Sequence, residues 1–109
     1  MGLVSVRRIR RGDVYWVNLD PAVGAEIKKN RPALVVSPDD MNDALPRVIV
    51  APITSAGQPL GCRPEIKLKG KPARILLDQL RCVDKVRLGR KMASVAPQAW
   101  HAVLLEMLA

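Results

Sequence analysis

The sequence has no phenylalanine, one histidine and two cysteines among its 109 residues. Tyr15, Trp16 and Trp100 are its only aromatics, too few to assemble the sheet of base-stacking rings used by the commonest RNA-binding modules. His101 alone rules out any mechanism in which two histidines share acid and base roles. Cys62 and Cys82 stand isolated, without CxxC spacing, so neither a zinc site nor a disulfide framework is supported. Reduced thiols are expected, and no metal or cofactor. Hydrophobic runs are short, and none approaches membrane-spanning length. The opening stretch MGLVSVRRIRRGD puts its basic cluster after a brief apolar run and has no adequate hydrophobic region, so it does not read as a signal peptide. The chain is expected in the cytoplasm. Gly2 lacks the Ser or Thr that myristoylation wants at position 6, which is Val6.

Acid is also scarce. Eighteen Lys and Arg stand against ten Asp and Glu, a formal charge of +8, and the bases are spread along the chain. That balance favours a polyanionic partner, nucleic acid first. The length suits one small domain, so any activity shares its single modest core.

What is present is a series of apolar runs of strand length, rich in Val and Ile. DVYWVNL, PALVVS, RVIVAPIT, PEIKLK and RILLDQLRCV are read as strands, with KMASVA as a weaker one. DPAVG, PDDMNDALP, SAGQPLG and KGKP between them carry turn residues. From Pro97 the period changes: Trp100, Val103, Leu104, Met107 and Leu108 fall at helical spacing, and Pro97 suits a first helical turn. The expected fold is mainly β with a C-terminal α-helix, a small SH3-like barrel or strongly bent antiparallel sheet. It forms one domain over residues 1–109, with a basic extension at 1–10 and the helix at 97–108. Tyr15 and Trp16 are strand neighbours and must point to opposite faces. His101, at the edge of the helical stripe, is read as a packing or surface residue.

The stretch GAEIKKNRPALVVS runs from one acid and three bases into a strand. Charge at a loop tip is ordinarily solvation, but Pro32 restricts Arg31 to extended geometry, and a guanidinium on stiff backbone is suited to phosphate oxygens. Thr54 and Ser55 end the strand RVIVAPIT and are positioned to face a cleft. As turn formers they also have a plain structural reading.

At this point the sequence resembles the MazF/PemK toxins of bacterial toxin–antitoxin pairs. The matching pieces are RGDVYWVNLDP, the G-x-E before Arg31, RPALVVS, SP with Asn42, APITS and LDQLRCVDKVRLG, in one order from Arg11 onward. The resemblance implies a metal-independent, sequence-specific endoribonuclease of single-stranded RNA, a homodimer neutralised by an acidic antitoxin. It places the catalytic pair on Arg31 and Thr54, and substrate contacts on Glu26, Ser55, Asp78 and Gln79. Some members on the PemK side carry an arginine two residues before that Asp and a histidine before the loop Glu; here those positions are Leu76 and Ala25.

Cleavage by the 2′-hydroxyl needs a base, charge stabilisation and a proton for the leaving 5′-oxygen. Arg31 and Thr54 supply donors to a phosphorane. An ordinary arginine titrates too high to be the base. Glu26 is an alternative, with a salt bridge to Lys28 or Lys29 as its plain reading. Lys28 and Lys29 would track the RNA backbone without reading sequence. Two other functions fit the same fold: a gyrase-targeting toxin like CcdB, acting through the terminal helix, and a basic SH3-like module that binds RNA without cutting it.

Overall fold

The computed structural model describes residues 8–19, 30–55 and 58–108. Seven strands are described: β1 (Asp13–Asn18), β2 (Asn30–Val35), β3 (Arg47–Thr54), β4 (Glu65–Leu68), β5 (Lys71–Ile75), β6 (Arg81–Asp84) and β7 (Leu88–Ser94). Helix α1 (Asp39–Ala44) lies between β2 and β3, and α2 (His101–Leu108) follows β7. All pairings are antiparallel, in the order β4-β5-β3-β2-β1-β7 with β6 also on β3. The result is a curled half-barrel with a C-terminal helix, the class the strand pattern implies.

Alternation along the strands divides the buried residues into two clusters. Val14, Leu34, Ala51, Ile53, Ile75 and Leu77 pack with Trp100 and Leu104 of the C-terminal segment. Tyr15, Val17, Ala33, Val35, Val48 and Val50 pack with Val83 and Leu88. Tyr15 is buried and its neighbour Trp16 is 40% exposed, the opposite facing that a strand requires. Arg11 joins the N-terminal segment to both α1 and the start of α2. Its N–H donates to Asp39 at 2.7 Å, its Nε donates to the Val36 carbonyl at 2.9 Å, and its guanidinium lies 5.4 Å from the Trp100 ring centroid.

Three elements differ from their sequence reading. The stretch PDDMNDALP holds helix α1 and not a simple turn. Pro38 precedes it, Asp39 and Asp40 occupy its first turn, where the helix dipole favours acid, and the buried Asn42 ties it to Ser37 by donating to the Ser37 carbonyl at 3.0 Å. The run RILLDQLRCV is two strands separated by a 3-10 turn, Leu77–Gln79. β5 and β6 follow the same edge of β3, but three steps along β3, Val50 to Ile53, are matched by six along the other segment, Arg81 back to Ile75. The surplus is taken up as a bulge that keeps Leu77 in the core and exposes Asp78 and Gln79. Last, β7 begins at Leu88, ahead of KMASVA, and pairs with β1 through two register shifts.

In the C-terminal segment, a 3-10 turn at Pro97–Ala99 precedes α2. Trp100 and Leu104 are buried as the helical spacing implies, whereas Met107 and Leu108 at the far end of the stripe are exposed. No helix among the described residues is long and apolar enough to cross a membrane.

Candidate active site

The cleft opens where two paired strands part. β2 and β3 are paired from Val35↔Val50 to Ala33↔Pro52. Beyond that point β3 turns to β5, with Ile53↔Ile75 and Thr54↔Arg74, while β2 stays on β1 as far as Asn18↔Asn30. Two residues back along β2 and two on along β3 bring Arg31 and Thr54 to the same level, on strands that no longer share a ladder. Pro32 sits in this open stretch, where the N–H it lacks is not needed for pairing with β3. β2 thus begins at Asn30, ahead of the proline, because its register with β1 continues past it.

The cleft has a volume of about 460 Å³. Asn30, Arg31 and Pro32 form one wall, Ile53, Thr54 and Ser55 the floor, and Leu68, Lys71, Pro72 and Ala73 of the β4–β5 hairpin the other wall. Arg31 is exposed, Thr54 half-buried and Ser55 exposed. The charged residues among these are Arg31 and Lys71, both cations. The lining combines apolar and proline surface with a guanidinium, a hydroxyl and an ammonium group, donor types suited to phosphodiester oxygens.

Asp78 and Gln79 project from the bulge on the same edge of β3. Arg63 grips Asp78 with both prongs of its fork, Nε donating to Oδ1 at 3.0 Å and Nη2 to Oδ2 at 2.9 Å. This bond holds the Asp78 carboxyl below the usual carboxylate range and raises the guanidinium of Arg63 above its own. Gln79 is exposed. Glu26, Lys28 and Lys29 lie outside the described residues. Cys62 and Cys82 are free thiols, half-buried and exposed, and His101 packs edge-on against Trp100 with ring centroids 5.7 Å apart.

Residues 10–108 match the family described as PemK-like, MazF-like toxins of type II toxin–antitoxin systems. The chain belongs to that family. It is 38% identical over 90 residues, 77% of this chain and 78% of the relative, to endoribonuclease EndoA of Bacillus subtilis (strain 168). To endoribonuclease MazF of Staphylococcus epidermidis it is 37% identical over 90 residues, 77% and 75% of the two chains. Among solved structures it is similar to MazF in a MazE–MazF complex from Deinococcus radiodurans, with a TM-score of 0.77 and 26% identity over 94% of this chain and 97% of that one.

Three side chains of this MazF-like toxin are not marked by the sequence. Lys71 sits inside the turn signal KGKP, and only the hairpin register carries it to the cleft: Lys69 and Gly70 take left-handed conformations, with φ of 53° and 82°, and Lys71 opens β5 opposite Leu68. Arg63 and Arg74 have the sequence context of ordinary surface bases. Nothing local identifies Arg63 as the partner of Asp78, or Arg74 as the cross-strand neighbour of Thr54.

Proposed function

We propose that the protein is the toxin of a type II toxin–antitoxin pair and an endoribonuclease whose Arg31–Thr54 cleft cuts single-stranded RNA without a metal ion. The observation that carries this reading is the meeting of Arg31 and Thr54 from two separate strands in one cationic cleft, in a chain whose relatives are endoribonucleases. The ribose 2′-oxygen gives up its proton and attacks the neighbouring phosphorus. The bond from phosphorus to the 5′-oxygen then breaks, and that oxygen takes a proton. The products are a 2′,3′-cyclic phosphate and a 5′-hydroxyl. Arg31 and Thr54 donate hydrogen bonds to the phosphorane oxygens, where charge is greatest in the transition state. Glu26 is the candidate base.

Lys28 and Lys29 bind phosphates along the strand. Ser55 and Gln79 offer polar contacts to bases, and so does Asp78, because a carboxylate accepts about four hydrogen bonds and Arg63 uses two. An acidic antitoxin is the protein partner, the working form is a homodimer, and the site of action is the cytoplasm. RNA incubated with purified protein in excess EDTA tests the reading. Cleavage with the stated ends is expected. Activity that vanishes with chelator and returns with magnesium would overturn the mechanism, and bound but uncut RNA would leave only a binding module.

A further inference from the structure

Beside the cleft, two arginines form a connected brace. Arg63 holds Asp78 through the two-pronged bond described above, and its side chain is only 16% exposed. The Arg63 carbonyl accepts from Arg74 Nη1 at 3.0 Å, and Arg74 Nη2 lies 3.4 Å from Glu65 Oε1. Arg74 is the direct cross-strand partner of Thr54 on one side and of Glu65 on the other. The Arg63 N–H donates to the Leu60 carbonyl at 2.9 Å, closing a turn at the end of the segment that leads into β4. A continuous set of bonds therefore runs from the strand residue facing Thr54, through the backbone of Arg63, to the carboxylate on the exposed bulge. Neither arginine lines the cleft, and the donors named here are committed to protein oxygens.

We infer that Arg63, braced by Arg74, is a positioning residue: it aims Asp78 and residues 58–64 at the bases beside the scissile phosphate and so sets which RNA sequences are cut. The inference rests on the cleft being the RNA-cleaving centre. A planar fork on a carboxylate fixes orientation as well as distance, which a lysine at the same place does not. A carboxylate aimed in this way presents its remaining lone pairs in one direction, and a base edge read by hydrogen bonds requires that.

The test uses the full chain and one long RNA of known sequence, with every 5′-hydroxyl end mapped for wild type, Arg63→Lys, Asp78→Asn, Arg74→Lys and Arg31→Lys. Single-turnover rates and melting temperatures are measured alongside. Arg63→Lys and Asp78→Asn are expected to relax discrimination between the best-cut site and its single-base variants by about 3- to 30-fold. They should add the same new sites to the map, with Arg74→Lys shifting it less in the same direction. In Arg63→Lys and Arg74→Lys the rate at the best site should stay within a few fold, whereas Asp78→Asn, which alters a base contact itself, should lower it. A map unchanged in Arg63→Lys, or one that shifts in Asp78→Asn alone, overturns the inference, since Asp78 would then act without being aimed. Lower melting temperatures with an unchanged map overturn it equally, because a merely structural brace has that signature. If Arg63→Lys does not fold, the nearly isosteric Asp78→Asn and the charge-preserving Arg74→Lys must still shift the map together. Failure of the underlying reading looks different: wild type leaves the RNA intact, or Arg31→Lys cuts as wild type does.

Discussion

Arg31 and Thr54 stand at one level on β2 and β3, just past the point where the two strands stop pairing and open the cleft both residues line. On the proposed reading Arg31 donates to the phosphorane, and substitution tells that role from simple solvation. In Arg31→Lys the charge is kept and the two-point geometry is lost, so single-turnover cleavage should fall by about 10²–10³, while RNA affinity falls far less. Lys28→Ala gives the contrast, weakening binding modestly with little change in the saturated rate. Wild-type cleavage by Arg31→Lys would remove the catalytic assignment.

Gly12 should not tolerate a side chain. It has φ of +94°, and an added Cβ would lie 2.9 Å from the Val95 carbonyl oxygen. Its own N–H donates to the Val35 carbonyl and its carbonyl accepts from the Val95 N–H, both at 2.8 Å, so it cannot move away without breaking a bond to β2 or to the segment after β7. Gly12→Ala is expected to cost about 1–3 kcal/mol, read as a lower urea midpoint with the denaturant slope unchanged. A wild-type midpoint would mean that the backbone relaxes there freely.

The Arg63–Asp78 pair should make stability depend on acid. The Asp78 carboxyl is held below its ordinary value of 3.8 by the hydrogen bonds from Arg63, so the folded state binds that proton less readily than the unfolded chain. Its contribution is complete above the ordinary value and is lost as pH falls through the lowered one. Asp39, lowered chiefly by the Arg11 N–H, acts in the same window. Urea midpoints measured downward from pH 5 should fall, and Asp78→Asn should flatten part of that fall. An Asp78→Asn profile parallel to wild type would show that the pair contributes nothing to stability.

Leu105 and Leu108 on α2, with Val86 and Trp16 elsewhere, are large apolar side chains that a single chain leaves exposed. A homodimer is expected, and sedimentation over a range of protein concentrations should show mass doubling. A monomer at micromolar protein would contradict it.

Removing both thiols should matter little. Cys62→Ser with Cys82→Ser is expected to leave cleavage within a few fold, because neither cysteine lines the cleft. A large loss in a protein that still melts normally would bring thiol chemistry back into the mechanism.

Most strand positions, the C-terminal helix, the basic character and the meeting of Arg31 with Thr54 are legible in the amino-acid sequence. The first three are written in local periods and composition, which a short window of residues carries, and the fourth comes from motifs in a family-like order. Helix α1 is not legible there, because DDMNDA has no apolar stripe; it is held by the buried Asn42 bonded to Ser37 and by the Arg11–Asp39 contact, both of which depend on packing. The break in RILLDQLRCV is hidden for the same reason in reverse. Its Val and Leu spacing satisfies a strand everywhere, and only pairing with a shorter length of β3 forces the extra residues out as a bulge. Register decides the rest. Whether Lys71 reaches the cleft, whether Arg74 faces Thr54 and whether Arg63 finds Asp78 depend on which residues of distant strands lie opposite each other, and shifting a strand by one residue sends every side chain to the other face. That choice is made by burying two apolar clusters at once, a property of the folded sheet and of no segment within it.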